Sequence, residues 1–333
     1  MYSSPILLDF SDTLTEERLA EHLAGRSPIV CDCRAIDGCG RFCDDAAADE
    51  IRSRTAEMPA DGLHWIDSGD YHFVTLFWCE KIREPFDLVL FDNHTDMQEP
   101  RFEGLLSCGS WLLEMLRRNP FLRHAYIIGA SEALRCETLG FADRVTMVSG
   151  REPSGTPEIE AASILREAGL AAPECDGTAT DCGGQAPDCD WQAPECGGTA
   201  TVYGTTAPDC GGTAPDCGDK EGSGGSNAGP NCDGTGPHCD DSRRLPLYIS
   251  VDKDVLSPAD AATNWDQGPM RLATLCAILR QLRAGHRIIG ADICGGAPVN
   301  AIADLSANCC SLHPVPAAEL NLQADLAIID ALY

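Results

Sequence analysis

Two stretches of similar design decide the fold: FDLVLFDNHTD at residues 86–96 and LPLYISVDKD at residues 245–254. In each stretch, a continuous apolar run is followed at once by carboxylates at alternate positions. Apolar runs of this length are typical of parallel strands that are buried on both faces of a sheet. We therefore predict two strands of an open parallel sheet, each with acidic residues at its carboxyl end, where such sheets bind ligands.

The rest of the chain alternates between strand-like and helix-like segments. This alternation predicts a three-layer α/β/α fold with a mostly parallel sheet and helices on both faces. We expect a single domain in two parts, residues 1–170 and 243–333. The further predicted strands are 27–33, 124–129, 144–148 and 286–293, and the predicted helices are 16–23, 110–118, 157–168, 270–283 and 317–331.

A low-complexity insertion separates the two parts at residues 171–242. It repeats a unit that reads roughly A-P-[DE]-C-x-G-T, and most of its cysteines are seven residues apart. Proline and glycine recur through the units, which excludes a coiled coil. Because the segment is acidic and poor in large apolar residues, we predict a disordered surface loop that grew by repeat expansion. Loose binding of soft metals by its Asp-Cys units is the alternative.

Composition limits the partners of this chain. Among 333 residues, 52 are acidic and 24 basic, which gives a net charge of −28. Such a chain is a poor ligand for nucleic-acid phosphates or anionic membranes. No apolar run reaches the ~18–20 residues of a membrane helix, and the N-terminus lacks the basic region of a secretory signal. With 19 cysteines and no export signal, we expect a cytoplasmic protein whose thiols are free, buried or metal-bound.

The carboxylates at the two strand ends predict a metal site. At a strand's period of two, Asp92, His94 and Asp96 would point the same way, and so would Asp252 and Asp254. Four carboxylates cannot crowd together without cations, since like charges would force some of them to bind protons. Oxygen ligands with some imidazole favour ions such as Mn²⁺, and two such ions would balance four carboxylates. A hydrated acidic loop explains one motif alone but not two.

A third element, GDYH at residues 69–72, follows the apolar run 63–66. Its glycine permits a tight turn, and His72 is the candidate for a second imidazole ligand. His64 is the alternative. Four further cysteines could hold Zn²⁺, but they lack the paired C-x₂-C spacing of strong zinc sites, so buried or free thiols are favoured. These are Cys31, Cys33, Cys39 and Cys43.

GDYH, DNHTD and SVDKD, in this order, resemble the metal motifs of the arginase/agmatinase (ureohydrolase) superfamily, which shares its fold with histone deacetylases. The resemblance runs from about residue 60 to the C-terminus, interrupted by the insertion. It implies a three-layer α/β fold that holds two Mn²⁺ ions about a bridging hydroxide. It also implies the ligands: Asp92 and Asp252 bridge the ions, His72 and Asp96 complete one site, and His94 and Asp254 complete the other.

The same resemblance implies a reaction. The hydroxide attacks the sp² carbon of a guanidinium or an amide, and a nearby acid protonates the leaving amine. A small-molecule substrate and a homo-oligomer are expected on this basis. Asp92 and Asp252, which hold both ions, are then catalytic as well as metal-binding.

Three departures from the family pattern bear on these expectations. Tyr71 separates the acidic residue from His72, whereas the family motif reads Gly-Gly-Asp-His. Cys108 occupies the place of a family histidine that aids proton transfer, so we name Cys108 as the candidate for that role. Gln98 also differs from the usual substrate-loop residues, which leaves the far end of the substrate open.

A further departure concerns specificity. Guanidine-cleaving members carry a glutamate after the last strand, and here Gly295 stands at that position. Without this carboxylate a guanidinium loses its fork-shaped partner, unless Asp292 or Asp304 replaces it. The metals are therefore expected to be retained and the arginine-type specificity to be lost.

Three hypotheses follow from the sequence. The first is a binuclear manganese hydrolase that cleaves a C–N bond in a small guanidino or amide compound. The second is a deacetylase-type amidohydrolase, motivated by Gly295. The third is a non-catalytic metal-binding protein on the same fold. Trp265, in the segment NWDQG, lies either in a plain loop, which we favour, or in the wall of the pocket mouth.

Overall fold

A computed structural model describes residues 4–100, 102, 104–172, 244–297 and 316–333. The predicted cysteine-rich insertion, apart from its first two residues, and Asp304 lie outside the described residues. None of the helices in the described ranges combines the length and hydropathy needed to cross a membrane.

An eight-stranded sheet organises the described residues, and all of its neighbouring strands are parallel. Its strand order is β2-β1-β4-β10-β9-β5-β7-β8, and β3 and β6 form a separate antiparallel pair. The strands are β1 (Ile6–Asp9), β2 (Ile29–Asp32), β3 (Phe42–Cys43), β4 (Leu63–Trp65), β5 (Phe86–Phe91), β6 (Leu106–Ser107), β7 (Leu122–Gly129), β8 (Val145–Ser149), β9 (Leu247–Asp252) and β10 (Ile288–Cys294).

Helices connect these strands and cover both faces of the sheet. Short 3₁₀ helices occur at Ala24–Arg26, Gly69–Tyr71, Glu132–Phe141 and Lys253–Val255. The α-helices are α1 (Thr13–Glu17), α2 (Leu19–His22), α3 (Asp45–Thr55), α4 (Val74–Cys79), α5 (Trp111–Arg118), α6 (Pro157–Ala168), α7 (Leu272–Gly285) and α8 (Ala317–Leu332).

The core forms two layers, one on each face of the sheet. In β5, Leu88 and Leu90 pack into one cluster together with α3, α4 and α5. Val89 and Phe91, at the alternate positions, pack into the other cluster with α6, α7 and α8. This period of two places apolar side chains on both faces, as a buried parallel strand requires. The predicted three-layer α/β/α fold is confirmed.

Some predicted elements differ from the observed ones. The predicted helix at 16–23 is two short helices, α1 and α2, because Arg18 between them adopts a left-handed conformation with φ 55°. Strands β1 and β4 and helix α3 were not among the predicted elements. Strand β4 has only three residues, too few for an apolar run to be distinctive.

Candidate metal centre

The predicted ligands meet at the carboxyl edge of the central strands. Strands β5 and β9 are neighbours, and Phe91 pairs with Val251. Asp92, directly after β5, and Asp252, the last residue of β9, therefore leave the sheet side by side. His72 follows the 3₁₀ turn Gly69–Tyr71, which comes after β4. All three side chains are buried.

The prediction that the motif residues converge through the alternation of a continuing strand is wrong. Residues 92–96 do not continue the strand, and Asp96 has a left-handed backbone with φ 51°. Instead, the Asp92 carboxylate accepts a hydrogen bond from the His94 backbone N–H at 2.6 Å. The Asp252 carboxylate accepts one from the Asp254 N–H at 2.9 Å. Each aspartate thus folds its own loop two residues on, as in an Asx-turn, and the turn aims the later ligand back to the site.

His72 faces three of the carboxylates. Its Nδ1 lies 3.0 Å from Asp96 Oδ2, 3.3 Å from Asp92 Oδ2 and 3.5 Å from Asp252 Oδ2. Its other nitrogen, Nε2, lies 2.9 Å from Ser250 Oγ, whose hydroxyl donates to Asp292. Because the Ser250 hydroxyl donates its hydrogen bond to Asp292, the Ser250 oxygen accepts a hydrogen bond from His72 Nε2–H. In the neutral ring, Nδ1 would then carry the lone pair on the side of the carboxylates, as in a metal-ligating histidine.

His94 faces the other pair of carboxylates. Its Nδ1 lies 2.9 Å from Asp254 Oδ2 and 3.3 Å from Asp92 Oδ1. The two oxygens of Asp92 thus face different histidines. Asp92 is therefore the residue that both halves of the site share.

These groups fit divalent ions. Asp92, Asp96 and His72 offer ligand atoms within 4.8 Å of one another, and so do Asp92, His94 and Asp254. Ligand atoms bound at ~2.0–2.3 Å to one ion are separated by about 3.0–3.5 Å, which matches the distances measured between the histidine and carboxylate atoms. The donor set of carboxylates and imidazoles suits Mn²⁺ and similar ions.

The electrostatics of the cluster show the need for cations. Burial, followed by the charges of neighbouring aspartates, raises the pKa of Asp252 and of Asp254 above the ordinary value. Burial alone would lower the pKa of His94, but hydrogen bonds to Asp254 and Asp92 raise it to about 12. In the metal-free protein, bound protons and protonated imidazoles therefore offset part of the carboxylate charge.

Several neighbours orient the ligands. The Trp111 indole N–H donates to Asp96 Oδ2, and the Asn93 backbone N–H donates to Asp254 Oδ1 at 3.0 Å. Gly69 lies so close that a Cβ there would stand 2.9 Å from Asp252 Oδ2. Trp111 lies in a predicted helix, but nothing in the sequence pattern sets it apart from a core residue.

A cavity of about 430 Å³ opens over the ligands. Its wall includes Gln98, Cys108 and Trp265, together with Arg41 and the metal-site side chains. Burial and the charge of Asp96 raise the pKa of the Cys108 thiol above its ordinary value, so the thiol keeps its proton. The favoured interpretation of Trp265 as part of a plain loop is wrong, because its ring lies in the wall and its N–H donates to Asp70 at 3.0 Å.

Two other candidates lie away from the cavity. His64 contacts Tyr248 and the backbone oxygen of Pro59, and burial lowers its pKa to about 4. It is not the alternative ligand. Asp292 is buried and accepts from Ser250 and Tyr248, so it does not supply the missing guanidinium partner.

Gly295 is required by its surroundings. Its φ is +91°, and a Cβ there would lie 2.3 Å from Asp252 Oδ1. A glutamate therefore does not fit at this position with the present backbone. The turn that follows β10 therefore excludes the glutamate that guanidine-cleaving members carry at this position.

The four N-terminal cysteines are buried and free. The sulfurs of Cys31 and Cys33 are 3.7 Å apart. In the described part of the chain, the side-chain groups arranged to hold a metal do not include these four cysteines. One such group does include Cys294, which directly follows the predicted strand 286–293 at the ligand-binding edge but was not among the predicted ligands.

Comparison with known proteins gives little at the level of sequence. No protein-family model matches the chain. An uncharacterized protein of Thermotoga maritima is 29% identical over 96 residues, which are 28% of this chain. The match spans only 38% of the length of that curated relative.

Solved structures give a clear answer for the fold. Proclavaminate amidino hydrolase from Streptomyces clavuligerus superimposes with a TM-score of 0.55 at 13% identity, covering 100% of this chain and 92% of its own. Arginase from Bacillus caldovelox superimposes with a TM-score of 0.55 at 12% identity, covering 99% and 98%. The resemblance carried by the three motifs is thus confirmed at the level of the fold: the chain has the fold of the arginase/agmatinase superfamily.

Proposed function

We propose that this protein is a binuclear metal-dependent hydrolase that cleaves a C–N bond of a small guanidino or amide compound. The observation that carries the proposal is the pair of ligand groups that share Asp92 beneath a substrate-sized cavity. The solved structures of the same fold include an amidino hydrolase and an arginase by name, which supports this class of reaction.

The residues would divide the work as follows. His72 and Asp96 would hold one ion, and His94 and Asp254 the other, with Asp92 and Asp252 between them. Two Mn²⁺ ions, the ions that such a donor set favours, would act when bound as Lewis acids that lower the pKa of a water molecule. Ser250 and Trp111 keep His72 and Asp96 in position through their hydrogen bonds.

The proton for the leaving amine has a candidate source. Cys108 lies in the cavity wall and keeps its proton at neutral pH, as a donor to a leaving group must. Cys108→Ser retains a donor group and should keep more activity than Cys108→Ala. If both variants were as active as the wild-type protein, Cys108 would have no part in the reaction.

The residues at the substrate end of the cavity do not decide fully between a guanidino and an amide substrate. Gly295 and the inward-bonded Asp292 leave a guanidinium without the carboxylate that would select it, which favours the amide alternative of a deacetylase-type enzyme. Arg41 lines the cavity and pairs with Asp70 at 3.2 Å through its Nε, and its remaining N–H donors suit a substrate with an anionic far end.

The test is product analysis with metal-loaded protein and a panel of guanidino and amide compounds. Urea would identify a ureohydrolase, and an amine or ammonia with a carboxylic acid but no urea would identify an amidohydrolase. Asp92→Asn is the control and should abolish either product. No product from protein with both ions bound would contradict the proposal and support the non-catalytic alternative.

The free thiols bear on location. Each cysteine in the described ranges is unpaired, including Cys31 and Cys33, whose sulfurs are near each other. We propose a reducing compartment, the cytoplasm, on this basis. Fractionation of cells that express the full chain would test it, and recovery from an oxidising compartment would contradict it.

A further inference from the structure

A thiol lies among the ligands on the His72 side of the centre. Cys294 is the last residue of β10 and pairs with Asp252, the last residue of β9. Its Sγ lies 3.2 Å from Asp252 Oδ2. The ligand atoms of His72, Asp252 and Cys294 all lie within 4.8 Å of one another, and all three side chains are buried.

The backbone holds this thiol in place. Parallel pairing of β9 and β10 fixes Cys294 beside Asp252, and the chain turns away immediately afterwards at Gly295, which has φ +91°. The Cys294 side chain is 0% exposed, so its thiol does not turn toward solvent. The sulfur therefore stays beside the metal-site carboxylate.

We infer that Cys294 is a metal ligand on the His72 side, so that the two halves of the centre differ in chemical softness. The inference rests on the proposed metal centre and deepens it. The distances of 3.2 Å from sulfur to Asp252 Oδ2 and 3.5 Å from that oxygen to His72 Nδ1 fall within the separation of about 3.0–3.5 Å expected for ligands on one ion.

Among the described residues, the His94 half contains no thiol. Its group consists of Asp92, His94 and Asp254, which are oxygen and imidazole donors only. A thiolate shifts preference toward Zn²⁺, Co²⁺ or Fe²⁺, whereas carboxylates and imidazole suit Mn²⁺. The His72 half thus selects a softer ion than the His94 half. On binding, the Cys294 S–H bond breaks, sulfur donates its electron pair to the ion, and the proton passes to solvent.

A purely structural role gives a different expectation. The Cys294 S–H would then donate a hydrogen bond to Asp252 and keep its proton when ions are bound. Cobalt separates the two roles, because a thiolate bound to Co²⁺ gives a charge-transfer band in the near ultraviolet that oxygen and nitrogen ligands do not give.

The experiment titrates the full-length protein with Co²⁺ and compares it with Cys294→Ser. The difference spectrum cancels any contribution of the cysteines in the repeat, since both proteins contain them. Cys108→Ser tests the thiol in the cavity wall, and Cys276→Ser is a matched control, because Cys276 is buried and donates to the Ala327 carbonyl, away from the site.

The inference predicts a charge-transfer band that is lost in Cys294→Ser and retained in both control variants. It also predicts that Cys294→Ser lowers the preference for Zn²⁺ over Mn²⁺ by about tenfold or more in competition dialysis. Cys294→Ala gives the same readout if the serine variant fails to fold.

Two results would overturn the inference, and they are distinguishable. Co²⁺ bound with visible ligand-field bands, but with the same near-ultraviolet spectrum in wild type and Cys294→Ser, would leave the metal centre standing without the thiolate. A wild-type protein that binds no Co²⁺ at the carboxylates would remove the proposed centre as well.

Discussion

Two buried carboxylate clusters flank the short segment 252–254, and they are built in opposite ways. On one side, Asp252 and Asp254 join the metal centre, whose positive groups are imidazoles and which opens to the cavity. On the other side, Lys253 Nζ lies 2.9 Å from Asp325 Oδ1 and 3.8 Å from Glu17 Oε2. Side chains of this second cluster are fully buried.

The difference distinguishes a structural cluster from a binding cluster. The Lys253 cluster contains a permanent cation and is closed, and the Trp65 N–H adds a hydrogen bond of 3.0 Å to Asp325. Burial raises the pKa of Glu17 well above its ordinary value, against the opposing charge of Lys253. In the part of the chain that the structure describes, the carboxylates of the candidate metal cluster pair with histidines and not with a lysine or arginine, and the cluster is open to the cavity. Acidity alone does not mark a metal site, and we propose that the acidic cluster beside the cavity, without a permanent cation of its own, is the one that binds metal.

The largest expected effect on the free energy of unfolding comes from disrupting the closed cluster around Lys253. Lys253→Met leaves Asp325 and Glu17 buried without their cation and should lower the free energy of unfolding by about 3–5 kcal/mol. Urea denaturation of metal-free protein measures this. Lys253→Met with Asp325→Leu should recover most of the loss, since the uncompensated charge is gone. An unchanged stability of Lys253→Met would contradict the structural role of the cluster.

A second prediction uses His64, a buried titratable group whose ring nitrogens contact neutral groups, the Tyr248 hydroxyl and the Pro59 backbone oxygen. Burial lowers the pKa of His64 to about 4, below the unfolded value of about 6.5, so the folded protein binds fewer protons between these values. Stability from this residue is complete above pH 6.5 and is lost as the pH falls to 4, by roughly 3 kcal/mol.

The difference in unfolding free energy between wild type and His64→Phe isolates this term from the acidic groups that titrate in the same range. Phenylalanine keeps a ring beside Trp78, which stacks on His64 with centroids 3.9 Å apart. Tyr248→Phe is the control and should retain the wild-type loss in acid. A difference that does not vary from pH 7 to pH 4 would contradict the prediction.

A third, smaller effect concerns the open cluster through its supporting contacts. Ser250→Ala removes the acceptor for His72 Nε2–H and should weaken metal binding by about 10–100-fold. Ser250→Thr keeps the hydroxyl and should bind more tightly than the alanine variant. Metal affinity by calorimetry measures both, and equal affinities in the three proteins would show that Ser250 does not position His72.

The smallest effect on the free energy of unfolding has the opposite sign to the effect of Lys253→Met. Asp252→Asn removes one of several crowded charges, so the metal-free protein should gain stability, by about 1 kcal/mol above neutral pH, because burial and Asp254 raise the pKa of Asp252. The same variant should lose metal-dependent stabilisation. A loss of stability in metal-free Asp252→Asn would show that this cluster resembles the closed one.

The sequence predicts the open cluster better than the closed one, and the reason is physical. DNHTD and SVDKD are contiguous motifs at strand ends, so their ligands are visible without the fold. The closed cluster joins Glu17, Lys253 and Asp325, which come from three distant segments, and only packing brings them together. Cys294 has the same origin, since strand pairing places it beside Asp252.

The local backbone conformation at turns could not be predicted from the sequence either. The turn at Asp96 and the break at Arg18 depend on left-handed backbone at residues other than glycine, which no periodicity signals. The layers, by contrast, follow from apolar runs, and most of the predicted strands and helices lie within two residues of the observed bounds.

The most direct test of the central claim is Mn²⁺ content after equilibrium dialysis, compared between wild type and Asp92→Asn. Mn²⁺ suits the measurement because thiols in the repeat bind it poorly. The account predicts two Mn²⁺ ions per wild-type chain and a large loss in Asp92→Asn, since Asp92 belongs to the ligand groups of both halves. The same Mn²⁺ content in both proteins would contradict it.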